Sequence, residues 1–281
     1  DFTRRQIRQN VSRQALAFGP TKNFVNQYLC QDGLPIEKSP LFKGYATMNS
    51  EYQNRENRMK YTLRIPNGYY WFGINNPRVD WTSGAADRTT AYASPFKPYN
   101  NTISGYSHQK WVSERAVADN EEGYDYPVIR YAEVLLNYAE AVFERSGSIS
   151  DADLDKSLNL VRLRVNKSMP KLSNAFAQAN GLDMRTEIRR ERNVELFYEG
   201  FRVDDLKRWA AADELKKPLV GIKWTGTEYQ TLWPSQASTA FDCVGNLFVD
   251  GSRSFSDKKY LIPIPTQLIQ LYPQLTQNTG W

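Results

Sequence analysis

The chain has 281 residues, a formal net charge of +5, 41% hydrophobic and 24% charged residues. That is enough apolar material for a packed core and too much for a disordered chain. It holds no stretch of about 18 apolar residues to span a membrane. No Lys/Arg block is dense enough to mark a nucleic-acid surface. The unusual entry in the composition is the aromatics, 17 Tyr, 13 Phe and 7 Trp, which point to an aromatic core or an aromatic binding face.

Residues 1–18 carry a weak helical period through Phe2, Ile7, Val11, Leu16 and Phe18. The chain opens on Asp1 in what reads as mid-helix, without a signal peptide or lipobox, so it reads as a truncated piece with targeting information upstream. Thr21 is an N-cap for a helix over 23–30. Asp32-Gly33-Leu34-Pro35 and Ser39-Pro40 are turns. A short helix fits within 49–59, and a strand over 61–65 ends at Pro66-Asn67-Gly68.

Residues 66–126 are dense in Gly, Asn, Pro, Ser and Thr, without helical period, and with aromatics throughout. Loops this long are rare in compact domains unless they are functional or disordered, and the aromatics argue against disorder.

Helices then dominate. Val128, Ala132, Leu135, Ala139 and Val142 step by three and four, which places them on one helix face ended by Ser146-Gly147. Asp151 or Asp153 caps a second helix, stepping through Leu154, Leu158, Val161 and Val165. The short link makes a hairpin of tetratricopeptide-like size. A second hairpin follows at about 183–198 and 201–212. Residues 214–258 show no period, 259–265 is an extended or edge segment broken by Pro263 and Pro265, and a short helix covers 267–272. The predicted fold is mainly α: tetratricopeptide-like hairpins with a large irregular lobe. It is read as one domain over 1–281, with the lobe at 66–126, hairpins at 127–212 and an irregular end at 213–281.

Catalytic groups are scarce. His108 is the only histidine and lies outside any nucleophile elbow, so it reads as a surface or loop residue. Cys30 and Cys243 fit no metal spacing, and are either a long-range disulfide or two buried thiols. No phosphate loop occurs. The carboxylate pairs Asp204/Asp205, Glu121/Glu122 and Glu191/Glu195 are the remaining candidates for acid–base work. Arginines around Glu191 and Glu195 should hold both ionised, which is wrong for a general acid, and Asp204 is spaced to pair with Arg208. Arg189, Arg190, Glu191, Arg192, Glu195, Arg202 and Asp205 are expected to form a partly buried ionic network. The chain reads as no enzyme, with no cofactor and no metal.

Binding is the better reading. Tyr69-Tyr70-Trp71-Phe72 is a run of four aromatics, followed by Trp81, Tyr92, Tyr99, Tyr106 and Trp111. Rigid rings in a loop offer flat area at low entropic cost. Asn75, Asn76, Arg78 and Asp80 supply polar partners. Trp71 and Trp81 are the first candidates as flat stacking platforms for a ligand, Tyr70 the next, with Arg78 and Asp80 as its polar partners.

Several segments resemble one family in the correct order. They are 20–28 (PTKNFVNQY), Asp32-Gly33, Ser39-Pro40, 54–59 (NRENRM), 130–141 (RYAEVLLNYAEA), 158–165 (LNLVRLRV), 189–202 (RRERNVELFYEGFR) with 205–209 (DLKRW), 260–265 (YLIPIP) and 274–281 (QLTQNTGW). The chain resembles the C-terminal part of SusD/RagB-like proteins, without their N-terminal helical repeats. The resemblance implies a glycan-binding lipoprotein exposed on the outer membrane of a Bacteroidetes-type bacterium. Its partners would be a glycan and a SusC-like TonB-dependent transporter, and its contact with the membrane an N-terminal lipid anchor absent from this chain. It implies no catalysis and carries over no fixed ligand-contacting residue. The alternatives are a protein-interaction scaffold built on helical repeats and a glycoside hydrolase.

Overall fold

The structure is a computed structural model, described for residues 19–63, 65, 104–106, 108, 110, 127–232 and 241–281. The helix expected over 1–18 lies outside those residues, as does most of 66–126.

Helix α1 (Lys22–Val25) begins at the expected cap, where the Thr21 hydroxyl accepts the Phe24 N–H. It stops after one turn, well short of the predicted residue 30. The reason is Arg55, whose buried guanidinium takes the carbonyls of Val25 (2.9 Å) and Tyr28 (2.7 Å) and so satisfies the open end. The turn at 32–39 is held by Asp32, which accepts the Leu34 N–H (3.1 Å) and the Ser39 hydroxyl (2.6 Å). Helix α2 (Met48–Tyr52) starts with a reciprocal Thr47–Ser50 capping box.

Helix α3 (Asn57–Thr62) takes residues 61 and 62 away from the predicted strand. Among the described residues of that segment, only Leu63 makes a β-bridge, with His108. Burial of Arg58 and Met59 on this helix overrides the β-propensity of the segment.

Helix α4 (Tyr131–Ser146) buries Ala132, Leu135 and Ala139 of the expected stripe together with Leu136 and Phe143, while Val142 is only partly buried. Val128, predicted on that stripe, precedes the helix and is exposed. Gly147 ends it at φ 67°, with its N–H on the Phe143 carbonyl (2.7 Å), a left-handed cap that a side chain would strain.

The single helix expected after it is two pieces, α5 (Asp151–Asp155) and α6 (Leu158–Arg162). Ser150 caps α5, not Asp151 or Asp153. Ser157 causes the break: its hydroxyl donates to the Asp153 carbonyl (2.5 Å) and its own backbone leaves the helical region. Leu154, Leu158 and Val161 are buried nonetheless. Helix α7 (Asn174–Ala179) follows.

Helix α8 (Met184–Glu195) is capped by Asp183, whose carboxylate accepts the Thr186 N–H (2.8 Å). A turn with Tyr198 at φ 64° and Gly200 at φ 88° leads into α9 (Arg202–Arg208), then α10 (Ala212–Lys216). Tyr198 is a non-glycine residue in left-handed backbone, a costly state, held by stacking on His108 at 4.1 Å and edge contact with Phe197 at 4.8 Å.

Sequence periodicity misses a β-pair. Strands β1 (Leu219–Lys223) and β2 (Asn246–Asp250) run antiparallel with irregular register. Ser104 lies across β1 and accepts the Ile222 N–H (2.8 Å). Between the strands comes α11 (Tyr229–Leu232). Residues 259 and 260, expected to be extended, lie in a short 3-10 helix (Asp257–Tyr260); 261–265 are extended outside the described sheet, and α12 (Thr266–Leu271) matches the expected short helix. The Trp281 indole donates to the Lys258 carbonyl (2.9 Å), folding the end of the chain back on itself.

Two apolar cores result. One joins Val25, Tyr28, Met59, Tyr106, Ile222, Trp224 and Leu247, and takes Val194 from α8. The other gathers Leu136, Ala139, Leu154, Leu158 and Leu172 around Ile188 of α8. Helix α8 therefore contributes apolar residues to both. Cys30 is buried, Cys243 is exposed, and both are free thiols, so neither the disulfide nor the pair of buried thiols is found.

Candidate functional site

The residues predicted to face a sugar, Tyr70, Trp71, Arg78, Asp80 and Trp81, lie outside the described residues. So do Tyr92, Tyr99, Trp111, Glu121 and Glu122. Of the lobe's aromatics, Tyr106 is described and is core: it is 1% exposed and its hydroxyl donates to Glu51 (2.6 Å). His108, expected at the surface or in a loop, is buried at 2% exposure. Its stack on Tyr198 and its bridge to Leu63 explain why.

The ionic network exists but is built differently from expectation. Arg58 of α3 is its hinge. Its guanidinium meets Glu56 (2.7 Å), Glu191 (2.5 Å) and Glu195 (3.5 Å), all essentially enclosed. Glu195 also meets Arg130 and Arg164, each at 3.1 Å. Glu199 receives Arg130 (2.7 Å) and Lys110 (2.5 Å). A second group ties α4, α8 and α9. Arg192 donates to Asp205 (2.8 Å) and to Asn137 (2.6 Å). Arg208 joins Asp205 (2.8 Å) to Glu140, which also accepts the Trp209 indole N–H (2.6 Å). At the margin, Arg190 pairs with Glu187 (3.2 Å) and Arg189 with Glu144 (3.3 Å).

Three expectations are corrected. Arg202, expected in the network, makes no ion pair among the described residues, and its side chain meets the Trp209 ring instead. Arg208 pairs with Asp205, one residue later than the predicted Asp204, which is exposed. Glu195 and Glu191 do not titrate alike. Burial pushes Glu195 up, but Arg58, Arg164, Lys110 and Arg130 together outweigh it and hold its carboxyl below the usual range. At Glu191 burial wins over Arg58 and Arg162, and its pKa is raised. Glu191 is only 2% exposed, so a raised pKa there serves no reacting substrate.

Sequence reasoning misses Arg58, Arg130, Arg164, Lys110, Glu140 and Glu199 as members of this centre. Arg58 and Glu191 are far apart in the chain, where helical spacing carries no signal. The one hint is that all of these missed residues except Lys110 fall in segments that carry the family resemblance.

Beside α8 and α9 lies a groove of about 480 Å³. Phe24, Leu196, Phe197, Phe201 and Leu215 form its apolar wall, with Asn23, Gln27, Asn193, Lys217 and Arg253 among its polar lining. Phe24 and Phe197 stack at 4.0 Å and fix that wall. Such a volume, mostly apolar with a few polar groups, suits a small ligand or a segment of a longer one. A narrower cleft of about 260 Å³ shares Gln27, Arg202, Leu206 and Glu214 with it. Among the described residues no cluster of His, Cys, Asp and Glu is arranged to hold a metal.

A sequence profile of the SusD family matches residues 3–281. The chain belongs to the SusD family. The solved structures that resemble it include a SusD-like protein from Bacteroides fragilis, 24% identical, with a TM-score of 0.62, covering 94% of this chain and 47% of that one. A second, a SusD-like carbohydrate binding protein from the same species, is 24% identical, with a TM-score of 0.67 over 95% of this chain and 51% of the other. The chain thus spans about half the length of these structures. They bear out the mainly helical fold. No curated protein sequence matches the chain.

Proposed function

We propose that this SusD-family chain binds glycans at a cell surface and delivers oligosaccharide to a TonB-dependent, SusC-like outer-membrane transporter, without acting chemically on it. Membership of the family along nearly the whole chain carries this reading. The B. fragilis neighbour described as a carbohydrate binding protein supports it. The carboxylates add support from chemistry. Glu195 and Asp205 are each held by guanidinium groups, and Glu191 is enclosed, so these acids are engaged in structure and not available as an acid–base pair. An outer-membrane location through an N-terminal lipid anchor belongs to the same proposal. So does the division into a lobe at 66–126, hairpins at 127–212 and an end segment at 213–281.

The ligand face is proposed in the lobe, with Trp71 and Trp81 as stacking platforms, Tyr70 beside them, and Arg78 and Asp80 on sugar hydroxyls. Stacking and solvent-exposed hydrogen bonds of this type give affinities on the order of micromolar to millimolar, raised by avidity on a polymer. The test is affinity electrophoresis and calorimetry against a panel of plant and host polysaccharides, with Trp71→Ala and Trp81→Ala. Loss of retention in either variant supports the lobe. Unchanged retention in both, with normal folding, moves the binding face elsewhere.

A further inference from the structure

The cleft of about 260 Å³ is lined by Arg189, Arg190 and Arg202, with Trp209 and Glu214 beside them. Three of these charges have partners. Arg190 pairs with Glu187, Arg189 with Glu144 through one terminal nitrogen, and Glu214 with Lys217. Arg202 differs. It is half-buried and makes no hydrogen bond or ion pair among the described residues; its contact is the Trp209 ring, 6.0 Å away. Arg189 also retains a donor: its side chain is 29% exposed and bonds Glu144 through one terminal nitrogen only, leaving the other without a partner among the described residues, while its guanidinium lies 4.6 Å over the same indole. The indole cannot drift, since its own N–H is held by Glu140. One wall thus carries two guanidinium groups with open N–H donors, fixed by a shared ring.

We propose that this cleft binds the acidic group of a charged saccharide, a uronate carboxylate or a sulfate ester, on Arg202 and Arg189. A guanidinium offers parallel N–H donors that match a planar or tetrahedral oxyanion, and charge assistance makes such bonds roughly twice as strong as neutral ones. Glu214, which also lines the cleft, is itself paired with Lys217. The size and continuity favour a sugar chain. The cleft adjoins the larger groove, with Gln27, Arg202, Leu206 and Glu214 lining both. An acidic ring held at Arg202 would therefore place neighbouring rings along the phenylalanine wall and the Asn23 and Asn193 amides. The inference rests on the glycan-binding reading but concerns a surface apart from the aromatic lobe.

The experiment is calorimetric titration of the protein with three probes: oligogalacturonate, the same oligosaccharide fully methyl-esterified, and carrageenan oligosaccharide. Binding of oligogalacturonate over its ester identifies a carboxylate site, and binding of carrageenan a sulfate site. Arg202→Gln should weaken the charged probe about tenfold or more, Arg202→Lys should recover part of that loss, and added salt should weaken wild type more than the variant. Arg189→Gln gives a second, smaller loss and serves if Arg202→Gln fails to fold. Equal affinity for acid and ester overturns the inference. So does a charged probe that binds both Gln variants as tightly as wild type, or failure of both charged probes to bind. A protein that retains neutral polysaccharide yet ignores both acids fails this inference alone. One that retains no glycan fails the broader reading as well.

Discussion

Arg58 and Arg202 carry the same charge into two different surroundings. Arg58 is 4% exposed and meets three glutamates, from its own segment and from α8. Arg202 is half-buried at the start of α9 with an aromatic ring for company and no carboxylate in pairing distance. The first arrangement closes a charge inside the protein, which is tolerable only when its partners are complete. The second leaves a cation at the wall of a cleft, where water or a ligand must complete it. One arginine-rich stretch thus does two jobs: α8 places Glu191 and Glu195 toward Arg58, and Arg189 and Arg190 toward the cleft.

The largest effect that can break this contrast is removal of Arg58. Arg58→Met leaves Glu56, Glu191 and Glu195 with fewer or no cations in an enclosed site. The expected loss is about 3–5 kcal/mol in denaturant unfolding. A loss below about 1 kcal/mol would show that water reaches the site and that it is not closed. Arg192→Ala should cost less, about 1–3 kcal/mol, because Asp205 keeps Arg208 when Arg192 is gone. A double-mutant cycle between Arg192 and Asp205 measures the coupling directly.

Acid sharpens the comparison within α8 itself. The Glu195 carboxyl is held below its ordinary range in the folded state. Its contribution is therefore present above the unfolded carboxylate value of about 4.3 and is lost as pH falls through the lower folded value. Glu191 has the opposite sign. Its raised folded pKa disfavours the charged form, so it penalises folding at neutral pH and the penalty fades on acidification. Glu195→Gln should flatten the acid loss of stability, and Glu191→Gln should leave that loss intact or steepen it. Unfolding free energies at pH 3, 5 and 7 for the two variants check this. Parallel profiles would mean that the two carboxyls share one environment.

The parts legible in sequence are those fixed by local chemistry. The apolar stripe of α4, the Gly147 stop, the Thr21 cap and the Asp32 turn all follow from residues within a few positions of one another. The misread parts depend on distant partners. Helix α1 ends early because Arg55 arrives at its carbonyls. Residues 61 and 62 are helical because Arg58 must reach α8. The strands β1 and β2 hold a glycine and an irregular register, which blur the alternation that would announce them. The candidate site shows the same division. The arginine-rich pattern of 189–202 signals a network, whereas Arg58, Arg130, Arg164 and Glu140 join it from far along the chain.

The smallest predicted effect is the most informative about the cleft. If Arg202 were one more strut of the network, as its neighbours suggest from sequence, Arg202→Met would destabilise the fold as the other arginine substitutions do. The geometry argues otherwise. No carboxylate is left unpaired by its removal, since Asp205 keeps Arg192 and Arg208 and Glu214 keeps Lys217. What is lost is a ring contact at 6.0 Å, worth about 0.5–1 kcal/mol at a partly exposed site. What is gained is relief from holding a half-buried cation with no paired carboxylate: burial lowers the pKa of this guanidinium, and the charges of Glu214 and Asp205 offset that only in part. The two terms oppose, and the net change in unfolding free energy should lie within about 0.5 kcal/mol of zero. The measurement is denaturant unfolding of Arg202→Met beside Arg192→Ala in the same buffer. A loss for Arg202→Met as large as that for Arg192→Ala would place Arg202 in the structural network and remove the distinction drawn between the closed and the open end of this ionic system.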